Sequence, residues 1–173
     1  MRILILSLLA LAACSHEAMD TGAIVPGGRL ATAQMVDGAG RPAGRATVRE
    51  VAGGVRVTID ARGLPAGVHG AHLHTVGRCD RPDFTTAGAH WNPAGTKHGS
   101  MNPQGPHAGD LPNLLVGRDG RGTLGPVLAG ATMDGLLDAD GAAMVIHAAA
   151  DDLTTDPSGN SGARVACGVL SAG

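Results

Sequence analysis

The chain has 173 residues, with 13 Lys and Arg against 15 Asp and Glu, a formal net charge of −2 and 43% hydrophobic residues. That balance, with one Phe, one Trp and no Tyr, excludes the basic, aromatic-interleaved surfaces that bind nucleic acid, so no nucleic-acid partner is expected. The 28 Gly and 10 Pro are spread along the sequence, which cuts it into short segments and excludes long helices and coiled coils.

At the N-terminus, Met1 and Arg2 precede an apolar run from Ile3 to Leu11, with the charge and length of a secretory signal peptide and too short for a membrane span. The run ends in Leu11-Ala12-Ala13-Cys14, which resembles the lipobox at which bacterial lipoproteins are cleaved and acylated on the new N-terminal cysteine. Cys14 is therefore the expected lipid anchor. Ser15, not Asp, follows it, and by the same resemblance this favours the outer membrane over the inner one, with the protein facing the periplasm. Residues 1–13 are thus read as signal peptide, 14–28 as a lipidated, polar tether, and 29–173 as one domain. With Cys14 acylated, Cys79 and Cys167 remain, and in an oxidising compartment they are expected to pair as a disulfide. Closing so long a loop stabilises by about 4 to 5 kcal/mol in the chain-entropy account.

Period-two alternation is the main structural signal. Val55, Val57 and Ile59 point to one side, and Arg56, Thr58 and Asp60 to the other, as in a half-buried strand. The same pattern predicts strands over residues 29–36, 46–51, 68–74, 113–116, 122–127, 143–147 and 164–170. About eight short strands indicate an all-β antiparallel sandwich or barrel. The two long connections, 77–112 and 148–163, are of a length that is usually functional.

Seven of the eight histidines lie between His69 and His147. His72 and His74 share one face of a strand and can reach one ion. His147 ends another apolar strand and can supply a third imidazole across the sheet. The first long loop adds His90, His98, His107 and Asp110. Three imidazoles with one carboxylate suit zinc, and an all-imidazole set suits copper. His69, at odd spacing from His72, is expected on the opposite strand face in a structural role, and His16 in the tether has none.

Together, Val68-His69-Gly70-Ala71-His72-Leu73-His74, Gly88-Ala89-His90-Trp91-Asn92-Pro93, Lys97-His98-Gly99, His107-Ala108-Gly109-Asp110-Leu111 and Gly159-Asn160-Ser161-Gly162-Ala163-Arg164-Val165-Ala166-Cys167-Gly168 resemble, in order, the Cu/Zn superoxide dismutase family. The resemblance runs from about Ala46 to the C-terminus. It implies an eight-stranded antiparallel Greek-key sandwich or barrel with two long functional loops. It also implies copper at His72, His74, His90 and His147, and zinc at His90, His98, His107 and Asp110, with His90 shared. The implied activity is conversion of superoxide to dioxygen and hydrogen peroxide by copper redox cycling. In that scheme His90 takes a proton, zinc holds His90, Arg164 attracts and orients the anion, and Asp151 links a copper histidine to a zinc histidine.

The sequence departs from eukaryotic members after His147, where Ala148, Ala149 and Ala150 stand in place of charged steering groups. Scarce aromatics leave subunit contacts untraceable, so monomer and homodimer both fit. A non-enzymatic copper or zinc carrier on the same fold is the alternative reading, with a structural lipoprotein behind it.

Overall fold

The computed structural model describes residues 22–173. The expected signal peptide, Cys14 and the tether up to Thr21 lie outside the described residues.

Eleven strand segments are present: β1 (Leu30–Asp37), β2 (Pro42–Val51), β3 (Gly54–Ala61), β4 (Gly67–His69), β5 (Ala71–His74), β6 (Leu114–Val116), β7 (Gly122–Leu124), β8 (Val127–Ala129), β9 (Ala143–His147), β10 (Arg164–Val169) and β11 (Ser171–Ala172). They correspond to the eight expected strands, three of them interrupted. The expected strand 68–74 breaks at Gly70, whose amide leaves the ladder to bond the Ala149 carbonyl at 2.8 Å. The strand over 122–127 breaks at Pro126, which has no amide hydrogen to give, and both halves pair with β3. β11 continues β10 past Leu170 and stays on β1. Two elements had no sequence signal, a 3-10 turn (Thr85–Ala87) and a single-turn helix α1 (Met133–Leu136) whose N-cap Thr132 accepts from the Gly135 amide. With three and four residues they are too short for periodicity to reveal.

All pairings are antiparallel, and the order is β5-β9-β10-β1-β2-β3-β7, with β4-β6 as a separate pair. β3 neighbours β7 rather than β4, and β5 lies at the far end beside β9. Those crossovers give the Greek-key connectivity expected.

Alternation decides what each strand buries. Ala46, Val48, Val55, Val57 and Ile59 point inward to a core completed by Met35, Leu73, Leu114, Met133, Leu136, Met144 and Ile146. Each such aliphatic side chain contributes about 1.5–3 kcal/mol on burial. β9 is buried along its whole length. Its even positions, Met144 and Ile146, enter this core. Ala143 and Val145 pack on the other side against Phe84, Ala87 and Cys167. That second side is where the long loops lie.

Candidate metal centre

β5 and β9 bring the strand-borne histidines together. In β5, Leu73 turns into the core, so His72 and His74 both face the loops, fully buried. His72 stands opposite Val145 and His74 opposite Ala143, and two residues on in β9 His147 emerges on that same side. His69 falls on the strand before the break, its ring between the His147 and Pro65 carbonyls at 2.7 and 2.9 Å. It ties β4 to β9 and stays out of the cluster, as expected.

β5 is an edge strand, and the first long loop returns along its free edge. The Leu73 amide bonds the Gly109 carbonyl at 2.9 Å, the Trp91 amide bonds the Leu73 carbonyl at 2.8 Å, and the Thr75 amide bonds the Ala89 carbonyl at 3.0 Å. This false strand places His90 opposite His74 and Asp110 opposite His72. Gly109 is required for the approach, because a Cβ there would meet the Leu73 carbonyl oxygen at 2.5 Å.

Two ligand sets result. His72, His74, His90 and His147 bring one ring nitrogen each within 4.8 Å of the others. Those nitrogens, His72 Nδ1 and the Nε2 atoms of His74, His90 and His147, are buried with no hydrogen-bond partner. An unsatisfied buried polar atom costs about 1–3 kcal/mol, so four converging ones mark a place for a ligand. The opposite ring nitrogens are occupied. His74 Nδ1 donates to the Gly88 carbonyl at 2.9 Å and His147 Nδ1 to the Gly162 carbonyl at 3.0 Å, and His72 Nε2 meets Asp151 Oδ2 at 2.7 Å. A carbonyl can only accept, so on His74 and His147 the free Nε2 carries the lone pair a metal needs. Burial holds the His72 and His147 imidazoles down to about 4, from an ordinary 6.5. Burial pushes His74 further, to about 2. These rings therefore stay neutral and able to ligate.

The second set gathers on Asp110. Its Oδ1 has His90 Nδ1 at 3.0 Å, His98 Nδ1 at 3.1 Å and His107 Nδ1 at 3.3 Å. Atoms about 2.0–2.1 Å from a tetrahedral zinc stand about 3.3 Å from one another, so the spacing fits. Burial alone would raise the Asp110 carboxyl, but the His90 hydrogen bond, the Gly99 amide and the neighbouring His98 and His107 outweigh it and hold it well below the carboxylate range. Proximity also groups His72 with His90, His98 and Asp110, since the His72 and His90 rings stack with centroids 3.9 Å apart. His107 fits this set better than His72 does, because His72 Nε2 is committed to Asp151 and its Nδ1 faces the first set, whereas buried His107 Nδ1 makes no hydrogen bond and lies 3.3 Å from Asp110 Oδ1. His90 faces both sets, with Nδ1 toward Asp110 and Nε2 toward His72, His74 and His147.

Asp151, not Asp152, joins the sets: Oδ2 takes His72 and Oδ1 takes His98 Nε2 at 3.0 Å. Burial would raise its carboxyl, but those two histidines and the Leu153 amide hold it below its ordinary value. Asp152 is engaged with Thr154, Thr155 and Asn160 in the loop. Gly159 is needed alongside, since a Cβ there would meet Asp151 Oδ1 at 1.8 Å. Asn113, which by sequence only opens a strand, clamps the Asp151 backbone by two reciprocal bonds, each 2.8 Å.

Cys79 and Cys167 are joined, with Cα atoms 5.8 Å apart and a sequence separation of 88. The bridge pins the start of the loop to β10, which brings the Phe84 and Gly88 carbonyls onto Arg164. Nη1 donates to Phe84 and Nη2 to Gly88, each at 2.6 Å. Arg164 is the cross-strand neighbour of His147, and it borders a small surface cavity with Asp83, Thr85, Gly162 and Ala163. The two carbonyls were not legible as functional groups, because backbone acceptors leave no residue-type signal.

The sequence profile described as copper/zinc superoxide dismutase (SODC) matches residues 42–170. A copper-zinc superoxide dismutase of Caulobacter vibrioides is 45% identical over 147 residues, covering 81% of this chain and 84% of that protein. Among solved structures, a SOD-like protein from Bacillus subtilis superposes with a TM-score of 0.77 at 41% identity, covering 81% of this chain and 97% of the other. The Cu/Zn superoxide dismutase of Brucella abortus superposes at 0.68 with 28% identity, covering 82% and 99%. With its profile match spanning most of the domain and both ligand sets assembled, the chain belongs to the copper/zinc superoxide dismutase family.

Proposed function

We propose that the protein is a superoxide dismutase, with copper held by His72, His74, His90 and His147 and zinc held by His90, His98, His107 and Asp110. The observation that carries this reading is the convergence of four buried, unpartnered ring nitrogens on the side where Arg164 stands beside His147. Bound copper supplies the one-electron couple that oxidises one superoxide to dioxygen and reduces the next to peroxide, while zinc supplies fixed charge. The chain does the rest. Arg164, locked by two carbonyls, presents a permanent positive charge to a small anion. His90 Nε2, when it is not engaged by a metal, is the ring atom placed to hold a proton and pass it toward the reduced substrate. Asp151 and Asp110 fix the orientation of the histidines around them. The net conversion takes two superoxide ions and two protons to dioxygen and hydrogen peroxide.

A pure carrier would need neither the locked arginine nor a ring facing both sets. The test is dismutation by the chain beginning at Ser15, loaded with copper and zinc, beside a zinc-only sample. Fast turnover only with copper supports the enzyme, and uptake of both ions without turnover supports the carrier.

We read Cys14 as acylated and the protein as tethered at the periplasmic face of a bacterial membrane, more specifically the outer one. The lipobox-like Leu11-Ala12-Ala13-Cys14 and the following Ser15 support this. No helix among the described residues is long and apolar enough to cross a membrane. Metabolic labelling with a fatty acid, lost in Cys14→Ser, tests the anchor.

A further inference from the structure

The outward face of β1, β2, β3 and β7 lies on the opposite side of these strands from the core, and its residues stand in rows. One row is Gln34, Arg45, Asp60 and Thr123 across the four strands. A second is Thr32, Thr47 and Thr58. A third pairs Arg49 with Arg56. Arg62 and Arg121 complete a shallow groove with Arg45 and Asp60. Five arginines thus share a face with one aspartate, on a chain whose formal net charge is −2. The ion pairs that Arg and Lys make among the described residues engage Arg29, Arg41, Arg78 and Lys97, none of them on this face. Arg49 opposite Arg56 is a like-charge cross-strand pair, which destabilises an isolated sheet. Among the described residues no carboxylate pairs with either, and Arg56 is held only by the Gly22 and Gly125 carbonyls.

The chain reaches the domain at the edge of this face. The Gly22 amide bonds the Ala52 carbonyl at 3.0 Å, and Arg56 Nη2 donates to the Gly22 carbonyl at 3.2 Å. From Cys14 to Gly22 the chain spans at most about 28 Å when fully extended. A domain acylated at Cys14 is therefore held with this edge close to the bilayer, so the face meets the surface at high effective concentration.

We propose that the Arg45, Arg49, Arg56, Arg62 and Arg121 face docks on the anionic phospholipid headgroups of the membrane that carries the chain, leaving the metal loops turned away from it. The anchored reading supplies only the proximity; the charge pattern stands without it. Each arginine near an anionic surface raises the partition coefficient by about fivefold.

The test uses the metal-loaded, unacylated chain from Ser15 and cosedimentation with vesicles. Partitioning is expected onto phosphatidylethanolamine vesicles with about 30% phosphatidylglycerol at about 0.05 M salt, and not onto vesicles without phosphatidylglycerol. It should be lost at about 0.5 M salt. Arg45→Glu/Arg49→Glu should lower the partition coefficient at least about tenfold, and Asp60→Asn should raise it, both with dismutase turnover unchanged. Equal partitioning of wild type and the double variant overturns the proposal. So does equal binding to neutral vesicles, which would assign attachment to exposed Ile24 and Val25, or binding to a soluble polyanion such as heparin without binding to the anionic vesicles. The assay involves neither acylation nor turnover, so failure of the anchor or of the dismutase reading shows in its own measurement.

Discussion

The two ligand sets share His90 but are built differently. Three of the four residues of the first set stand on strands, His72 and His74 on β5 and His147 on β9. Their positions follow from sheet register, and the residues between them, Leu73 and Ile146, are anchored in the core. All four residues of the second set, His90, His98, His107 and Asp110, come from the loop between β5 and β6. Their geometry rests on the loop's bonds to the β5 edge, on Asp151 and on the disulfide. A strand-borne set is pre-organised by the same packing that stabilises the fold. The loop-borne set is anchored in the core only at its ends, by Trp91 beside His90 and Leu111 beside Asp110. Residues 92–107, which carry His98 and His107, put no side chain into the core clusters, and such segments open at low free-energy cost.

That contrast can be broken most sharply at its strand end. His147→Ala should reduce copper-dependent turnover by at least about a hundredfold, with zinc content retained. The measurement is activity beside metal analysis of the same sample. Loss of zinc along with copper would show that the sets are not separately built.

Removing zinc comes next. With copper retained, zinc-free protein should show faster amide exchange over residues 92–112, while β5 and β9 remain protected, as measured by hydrogen exchange with mass spectrometry. Equal loss of protection in both regions would erase the distinction between a strand-borne and a loop-borne set. Asp151→Asn should weaken zinc binding by about ten- to a hundredfold, the usual cost of removing a residue that orients a metal ligand. Asn113→Ala acts only through the Asp151 backbone and should have a smaller effect in the same direction, read by competition with a chelator.

The smallest effect is on the metal-free protein and depends on pH. His72 and His147 titrate near 4 in the folded chain, below the ordinary histidine value of about 6.5. Between those values the unfolded chain binds protons that the folded one refuses, so stability falls as pH drops from about 6.5 to 4. The slope approaches about 1.4 kcal/mol per pH unit for each such ring, and below 4 these groups add no further loss. Asp110 and Asp151, held low, lose their contribution only at more acid pH. Urea midpoints of the apoprotein at pH 7 and pH 5 check the sign, and a higher midpoint at pH 5 would contradict it.

The strand-borne set was the more legible of the two. Alternation along 71–74 and 143–147 is a local property, so the face carrying His72, His74 and His147 could be read from period two alone. The loop residues carry no periodicity: His90, His98, His107 and Asp110 are legible as metal-type residues by kind alone, and the division of ligands between two ions comes only from the resemblance of the surrounding motifs. The breaks at Gly70 and Pro126 were missed because each lies inside an otherwise regular alternation, and what decides them is a bond to a distant segment or a missing donor. Asn113 was passed over for a related reason. Its partner is the Asp151 backbone, 38 residues away, and an Asn at a strand start reads as ordinary turn chemistry. The Phe84 and Gly88 carbonyls that hold Arg164 are main-chain groups any residue could supply.

The most direct test of the account is diffraction from the copper- and zinc-loaded protein, with anomalous data collected on both sides of each metal's absorption edge. The account predicts copper on His72, His74, His90 and His147, and a separate zinc on His90, His98, His107 and Asp110. A zinc ligated by His72 in place of His107, or a single ion serving both sets, would contradict it.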